Sequence, residues 1–298
     1  NGFKLHIGGE EKHAKMTATA DPAELGHQDY VIVALKAHQA WEVAEQMKPL
    51  LGPNTAVVTA QNGLPWWYFH GFEGQYADRR IESVDPGSRQ WNAIGPERVI
   101  GCTVYPAAEV EAPGVIHHIS GDKFGLGKPK RTVTERAQKL SQLFESAGLK
   151  APILPEIRND IWLKLWGNLC FNPISALTHA TLDVVATDPG TRELSRNMME
   201  EAERIARRIG VHFRVDIERR INGAARVGAH RTSMLQDVDK NRPIELDALL
   251  TSVQELGRLT EVPTPHINAV LALAKQMGRV RGIYPTFPEE KIPEVDTY

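Results

Sequence analysis

Apolar and polar positions along the chain change their period about halfway, and that change predicts two kinds of structure. In the first half the apolar runs are short. "FKLHI" (3–7) and "KMTATA" (15–20) read as strands flanking the polar turn "GGEEKHA". "DYVIVALKA" (29–37) is a continuous apolar run ending at Lys36, the pattern of a strand buried on both faces of a parallel sheet. "AWEVAEQMKPLL" (40–51) reads as an amphipathic helix closed by Gly52 and Pro53, and "TAVVTAQNG" (55–63) as a second buried strand. Strand, helix, strand is the βαβ unit. "RVIGCTVYPA" and "GVIHHISG" add strand-like segments, and "VTERAQKLSQLFESAG" a helix ended by Gly148. From Ile157 onward long helical patterns take over, with Pro152 and Pro155 punctuating the change. The pattern predicts an α/β domain over 1–155 and an all-helical domain over 156–298. Residues 65–97, aromatic, Gly-rich and weakly periodic, read as an insertion or long loop.

One helical stretch carries a polar stripe. In "KLWGNLCFNPISAL" (164–177), Lys164, Asn168 and Asn172 stand four residues apart, so they share one face of a helix otherwise covered by Leu165, Trp166, Leu169, Cys170 and Phe171. An ammonium and two amides taken from water each need partners. Either a matching polar network or a ligand satisfies that demand.

Composition narrows the class. The 298 residues are 42% hydrophobic and 24% charged, with a formal charge of -2, which gives no sign of a nucleic-acid partner. Two cysteines, Cys102 and Cys170, build no disulfide framework, and the eleven histidines show no metal-ligand spacing with them. No apolar run approaches the roughly 20 residues of a membrane span. A reduced cytoplasmic protein without structural metal is the expectation.

"DYVIVALKAHQ", "VVTAQNGL", "GVIHHISG", "KLWGNLCFNPISALT" and "HRTSMLQDVDKNRPIELDAL", in this order, resemble successive signatures of the ketopantoate reductases, or 2-dehydropantoate 2-reductases. The resemblance runs from about residue 20 to about residue 275. It implies a Rossmann-type, doubly wound parallel sheet followed by a helical domain, with an active site in the cleft between them. It also implies reduction of a 2-keto acid by NADPH, most directly 2-dehydropantoate to pantoate on the route to pantothenate and coenzyme A, and a homodimer joined through the helical domain.

Residue by residue, the resemblance matches Lys164 to the family's catalytic lysine, which protonates the carbonyl oxygen as hydride reaches the carbon. The chemistry suits the residue: a cation stabilises a developing alkoxide, and desolvation brings an ammonium pKa down toward the working pH. A lysine whose head snorkels to solvent is the plain alternative. Asn168 and Asn172 match positions that bond the substrate's oxygens, although Asn172, preceding Pro173, also suits backbone groups freed by a proline kink. Ser233 opens "SMLQ", locally a capping box, and the family places the substrate carboxylate near it. Glu245 matches a glutamate that accepts from a substrate hydroxyl; its alternative is a first-turn glutamate favoured by a helix dipole.

On the cofactor side, Lys36 matches a lysine near the adenosine 2'-phosphate, against the alternative of a solvated lysine at a strand end. Asn62 matches an asparagine close to nicotinamide and substrate, against a plain Asn-Gly turn, and Ala107 a position whose backbone touches the cofactor.

The chain departs from the family pattern in two places. It has no G-x-G-x-x-G loop, and "GGE" at 8–10 is no substitute because no buried strand precedes it. If "DYVIVALKA" is the fourth strand of a 3-2-1-4-5-6 sheet, the middle of the sheet is missing, which predicts about 30 to 40 further residues before Asn1 carrying that loop. The second departure is Leu182 and His230, at positions that are asparagine in some members. These changes and the aromatic insertion motivate a second reading, a reductase of another small branched 2-keto acid. The absent glycine loop motivates a third, a non-catalytic dinucleotide-sensing or interaction protein.

Overall fold

Short extended runs make the strands of the first half, and a computed structural model describing residues 2–285 arranges them in two four-stranded sheets. In chain order the strands are β1 (Phe3–Ile7), β2 (Glu10–Ala14), β3 (Tyr30–Val33), β4 (Ala56–Thr59), β5 (Val99–Val104), β6 (Ala107–Ala112), β7 (Val115–Ser120) and β8 (Phe124–Gly127). The helices are α1 (Ala37–Ala40), α2 (Arg89–Ile94), α3 (Glu135–Ser146), α4 (Ile157–Thr178), α5 (Leu182–Thr187), α6 (Pro189–Arg208), α7 (Ile217–Ala225), α8 (Ser233–Asp239), α9 (Ser252–Leu259) and α10 (Pro265–Val280). A π-helical turn, Asp247–Thr251, leads into α9.

The main sheet has the order β3-β4-β5-β8, with β3, β4 and β5 parallel and β8 antiparallel. Val57 and Val58 on β4 are fully buried, as a central strand of a covered sheet requires. The strand β3 differs from expectation: it is the edge strand, and Ile32 is 49% exposed where burial on both faces was predicted. Its apolar run describes a strand with a neighbour on each side, and the described residues supply only one.

The second sheet, β2-β1-β7-β6, corrects two more expectations. The turn is only Gly8 and Gly9, so "EEKHA" forms the returning strand and "KMTATA" runs on without regular structure. β1 also pairs in parallel with β7, over one hundred residues later, so the hairpin stands apart from the main sheet. The helix expected over 40–51 is likewise broken. α1 ends at Ala40 and a 3-10 stretch, Glu45–Leu50, contains Pro49, whose ring and missing N–H are incompatible with a helix interior.

Residues 65–97 run in turns and short helical pieces, as a long loop does, but their aromatic start is core. Trp66, Trp67, Tyr68 and Phe69 are each at most 2% exposed. Gly101 on β5 leaves room for the Trp67 ring, since an added Cβ would stand 2.5 Å from it, and Trp67 Nε1 donates to Thr59 Oγ1 at 2.8 Å. Arg158, buried at the start of α4, binds the segment by donating to the backbone oxygens of Tyr68 (2.8 Å), Pro129 (2.6 Å) and His70 (2.7 Å). A run in which consecutive aromatics are all buried has no two-fold or 3.6-fold period, which is why it reads as irregular.

The second half is helical and assembles around α4. Trp162 and Trp166 anchor that helix, donating to Tyr68 Oη at 2.7 Å and to the Met199 carbonyl of α6 at 2.9 Å. α6 begins where Asp188 caps it, accepting from Thr191 N, with Pro189 in the first turn. Among the described residues no helix is long and apolar enough to cross a membrane, and no cluster of three potential metal ligands occurs.

Candidate functional site

The three parallel strands end on one side of the sheet, where doubly wound sheets bind their ligands. β3 leads to Lys36, β4 to Asn62, and β5 ends at Val104 and Tyr105. α4 packs across these ends and brings Lys164 to them. The Lys164 ammonium donates to Asn62 Oδ1 at 2.7 Å and to the Val104 carbonyl, and stands 5.6 Å from the Tyr105 ring centre. Asn62 is therefore a partner of the lysine as well as a turn residue. Gly63, at φ +85°, lets the turn meet the helical half: the next residue, Leu64, donates to the Ala248 carbonyl at 2.9 Å, and a Cβ on Gly63 would stand 2.3 Å from that oxygen.

Burial pushes the Lys164 pKa down from 10.5 to about 8, the dominant effect on this group. Cys102 beside it has its thiol pushed up to about 12 by burial, so it stays protonated. The ammonium is thus the group of this cluster that exchanges a proton near neutrality. A cavity of about 30 Å³ reaches the lysine, lined among others by Thr59, Asn62, Trp66 and Cys102.

The rest of the stripe continues along α4. Asn168 is half-buried, and its side chain hydrogen-bonds no other described residue. Asn172 is buried and donates from Nδ2 to Ser233 Oγ at 3.3 Å, which brings α8 to the end of the stripe. The expected capping box is displaced by one residue. Thr232 is the N-cap, accepting from Leu235 N, and Ser233 is the first helical residue, so its hydroxyl is left to face Asn172.

Glu245 lies just before the helical turns rather than within one, and Oε1 accepts from the Ala37 backbone N–H at 3.1 Å. It links the loop after β3 to the helical half. Lys36 does not stand free at its strand end. Its ammonium donates to Asp237 Oδ2 of α8 at 2.7 Å and to the Pro243 carbonyl at 2.5 Å, and Asp237 also pairs with Arg242 at 3.0 Å. Sequence reasoning missed Asp237 because its partner is 201 residues away. Ala107 opens β6 opposite Ser120 and takes no part in the cluster's hydrogen bonds. Tyr105 was also missed, although its place at the end of a buried parallel strand could have marked it.

Comparison with known proteins agrees with this arrangement. A family model described as "Ketopantoate reductase PanE/ApbA" matches residues 1–131, and one described as "Ketopantoate reductase PanE/ApbA C terminal" matches residues 156–278. The chain is 53% identical over 284 residues to the 2-dehydropantoate 2-reductase of Mesorhizobium japonicum, covering 95% of this chain and 87% of that protein. A crystal structure from Ralstonia solanacearum MolK2, provisionally described as a ketopantoate reductase, superposes with a TM-score of 0.90 at 40% identity, covering 95% of this chain and 86% of that one. D-mandelate dehydrogenase, solved with NADH and anilino(oxo)acetate, shares the fold with a TM-score of 0.77 at 18% identity, covering 94% and 86% of the two chains. The class is that of dinucleotide-binding oxidoreductases with a helical second half. Within it, the chain belongs to the ketopantoate reductase family.

Proposed function

We propose that the protein reduces 2-dehydropantoate to pantoate with NADPH, serving pantothenate and coenzyme A synthesis in the cytoplasm. The observation that carries this reading is the Lys164 ammonium, drawn down to about 8 and held at the ends of β4 and β5 by Asn62 and Val104. NADPH, when bound, supplies the hydride. Lys164 donates the proton to the keto oxygen, and its positive charge stabilises the alkoxide before transfer. Asn62 orients that ammonium and lies between substrate and nicotinamide sites. Asn168 and Asn172 bond the substrate's oxygens, Ser233 lies near its carboxylate, and Glu245 accepts from its hydroxyl.

The residues present fit the nicotinamide end of such a cofactor, because Asn62, Lys164 and the β3 loop gather where the parallel strands finish. They do not include a glycine-rich cradle for the pyrophosphate. Ala107 is assigned a backbone contact with the cofactor. Lys36 is assigned to the 2'-phosphate, a role that requires its ion pair with Asp237 to open. The division at residues 155 and 156 separates a cofactor-binding half from a substrate-binding half, and two copies associate through the helical half.

A second reading, reduction of another small branched 2-keto acid, is favoured by one observation. Leu182 N donates to the His230 carbonyl at 2.8 Å, so the two positions that differ from asparagine in some family members adjoin each other. Oxidation of NADPH, followed with 2-dehydropantoate and with a panel of branched 2-keto acids, tests both readings. The highest kcat/KM belongs to 2-dehydropantoate on the first. Preference for another acid selects the second, and no turnover with any keto acid removes both.

A further inference from the structure

Arg220 on α7 is a half-buried cation that the reading above leaves without a task. Its guanidinium rests on α4 at Gly167, where an added Cβ would stand 2.0 Å from Arg220 Nη2, and its Cζ is 5.9 Å from the Phe171 ring centre. Gly167 and Phe171 are three and seven residues beyond Lys164, so on a helix they flank the Lys164–Asn168–Asn172 stripe. Tyr105, which stands beside the Lys164 ammonium, is also one of the two titratable groups near enough to influence Arg220.

Several other arginines of this half are paired with carboxylates. Arg192 and Arg196 bind Glu218, Arg207 binds Glu203, Arg231 binds Asp239 and Arg242 binds Asp237. The Arg220 guanidinium has no hydrogen bond or ion pair with any described residue. Burial lowers its pKa, and no carboxylate opposes that shift; only Cys170 and Tyr105 do. A glycine that admits a guanidinium onto a helix, with no anion provided for it, is an expensive arrangement if its sole purpose is packing. A guanidinium presents paired N–H groups in the spacing of a carboxylate's two oxygens.

We propose that Arg220 is the carboxylate anchor of the keto-acid pocket, receiving the substrate's carboxylate on one flank of α4 while Lys164 faces the keto oxygen. The proposal rests on the keto-acid reading above. Arg220 adds the positive charge that the Ser233 hydroxyl lacks, in a chain whose Leu182 and His230 replace amide donors found in some family members.

Steady-state kinetics of Arg220→Gln and Arg220→Lys, with NADPH and a 2-keto acid or its uncharged methyl ester, test the assignment. The glutamine variant is expected to raise KM for the acid by about 10- to 100-fold, the scale of a lost charged hydrogen bond. KM for the ester and for NADPH stay unchanged, and lysine restores part of the acid's affinity. An acid KM within twofold of wild type, or equal losses for acid and ester, overturns the proposal. Calorimetric titration with 2-oxoisovalerate adds a readout that needs no turnover. Binding lost in Arg220→Gln and partly recovered in Arg220→Lys supports the anchor even if no substrate is reduced, whereas equal binding by wild type and the glutamine variant overturns it. Melting temperatures of both variants separate a lost contact from a lost fold, and a lysine variant that melts with the wild type yet gains nothing over glutamine counts against a charged anchor.

Discussion

Replacing Arg158 by methionine should release the aromatic segment from the rest of the core. The guanidinium is only 5% exposed and donates to three backbone carbonyls, those of Tyr68, His70 and Pro129. Each charged hydrogen bond contributes about 1.5–3 kcal/mol net, and methionine leaves all three acceptors without a donor. The cation itself is held at a cost. Burial pushes its pKa from 12.5 to about 10, on the order of 3 kcal/mol against the charged form, which the neutral side chain recovers. The net loss is about 2–5 kcal/mol, a fall in Tm of about 3–8 °C at the scale expected for a chain of this length. Calorimetry gives the Tm, and tryptophan emission reports the segment directly, because Trp66 and Trp67 lie in it and Trp162 packs against Tyr68. Emission shifted to the red below the global transition is the expected signature. An unchanged Tm with unchanged emission would refute the idea that Arg158 fastens residues 65–97 to α4.

Other consequences are as specific. Gly63→Ala places a Cβ against the Ala248 carbonyl at a residue with φ +85°, so turnover should fall at least tenfold and stability by about 1–3 kcal/mol, read by kinetics and thermal melts; wild-type values for both would mean that the Asn62 turn tolerates displacement. Lys36→Ala should raise the Kd of NADPH far more than that of NADH if the ion pair opens to receive the 2'-phosphate. Equal losses would assign Lys36 to its contact with Asp237 alone. Glu245→Ala should reduce kcat/KM about tenfold or more for keto acids bearing a hydroxyl and much less for pyruvate-like acids. Similar losses for the two classes would show that Glu245 serves only the Ala37 N–H.

The elements legible in the sequence are those whose signal is local. β4, β5, α3 and α4 fall where periodicity puts them, because burial on both faces or a 3.6-residue stripe leaves a pattern within one window, and β7 falls on its β-branched run. The polar stripe of α4 was legible as a face that needs partners; Lys164 meets Asn62 at the strand ends, and Asn172 meets Ser233 at the start of α8. What was hidden depends on distant partners. Nothing local to "FKLHI" announces its parallel pairing with β7, and nothing in "SMLQD" says that its aspartate holds Lys36. The aromatic start of residues 65–97 was hidden for a different reason: consecutive buried aromatics in turns lack the alternation by which core segments are recognised. The capping residue of α8 was displaced because Thr232 and Ser233 are both good caps, and only geometry chooses between them.

The central claim is that Lys164 gives the proton in keto-acid reduction, and the pH dependence of kcat in wild type and Lys164→Ala tests it most directly. Held near 8 by burial, the lysine is protonated below that pH, so the wild-type reduction rate should be level in weakly acidic solution and fall as pH rises through about 8. Lys164→Ala, folded and with unaltered cofactor affinity, should lose about a hundredfold or more in kcat together with that alkaline decline. Near-normal turnover in the variant, or the same decline persisting without the lysine, would contradict the account.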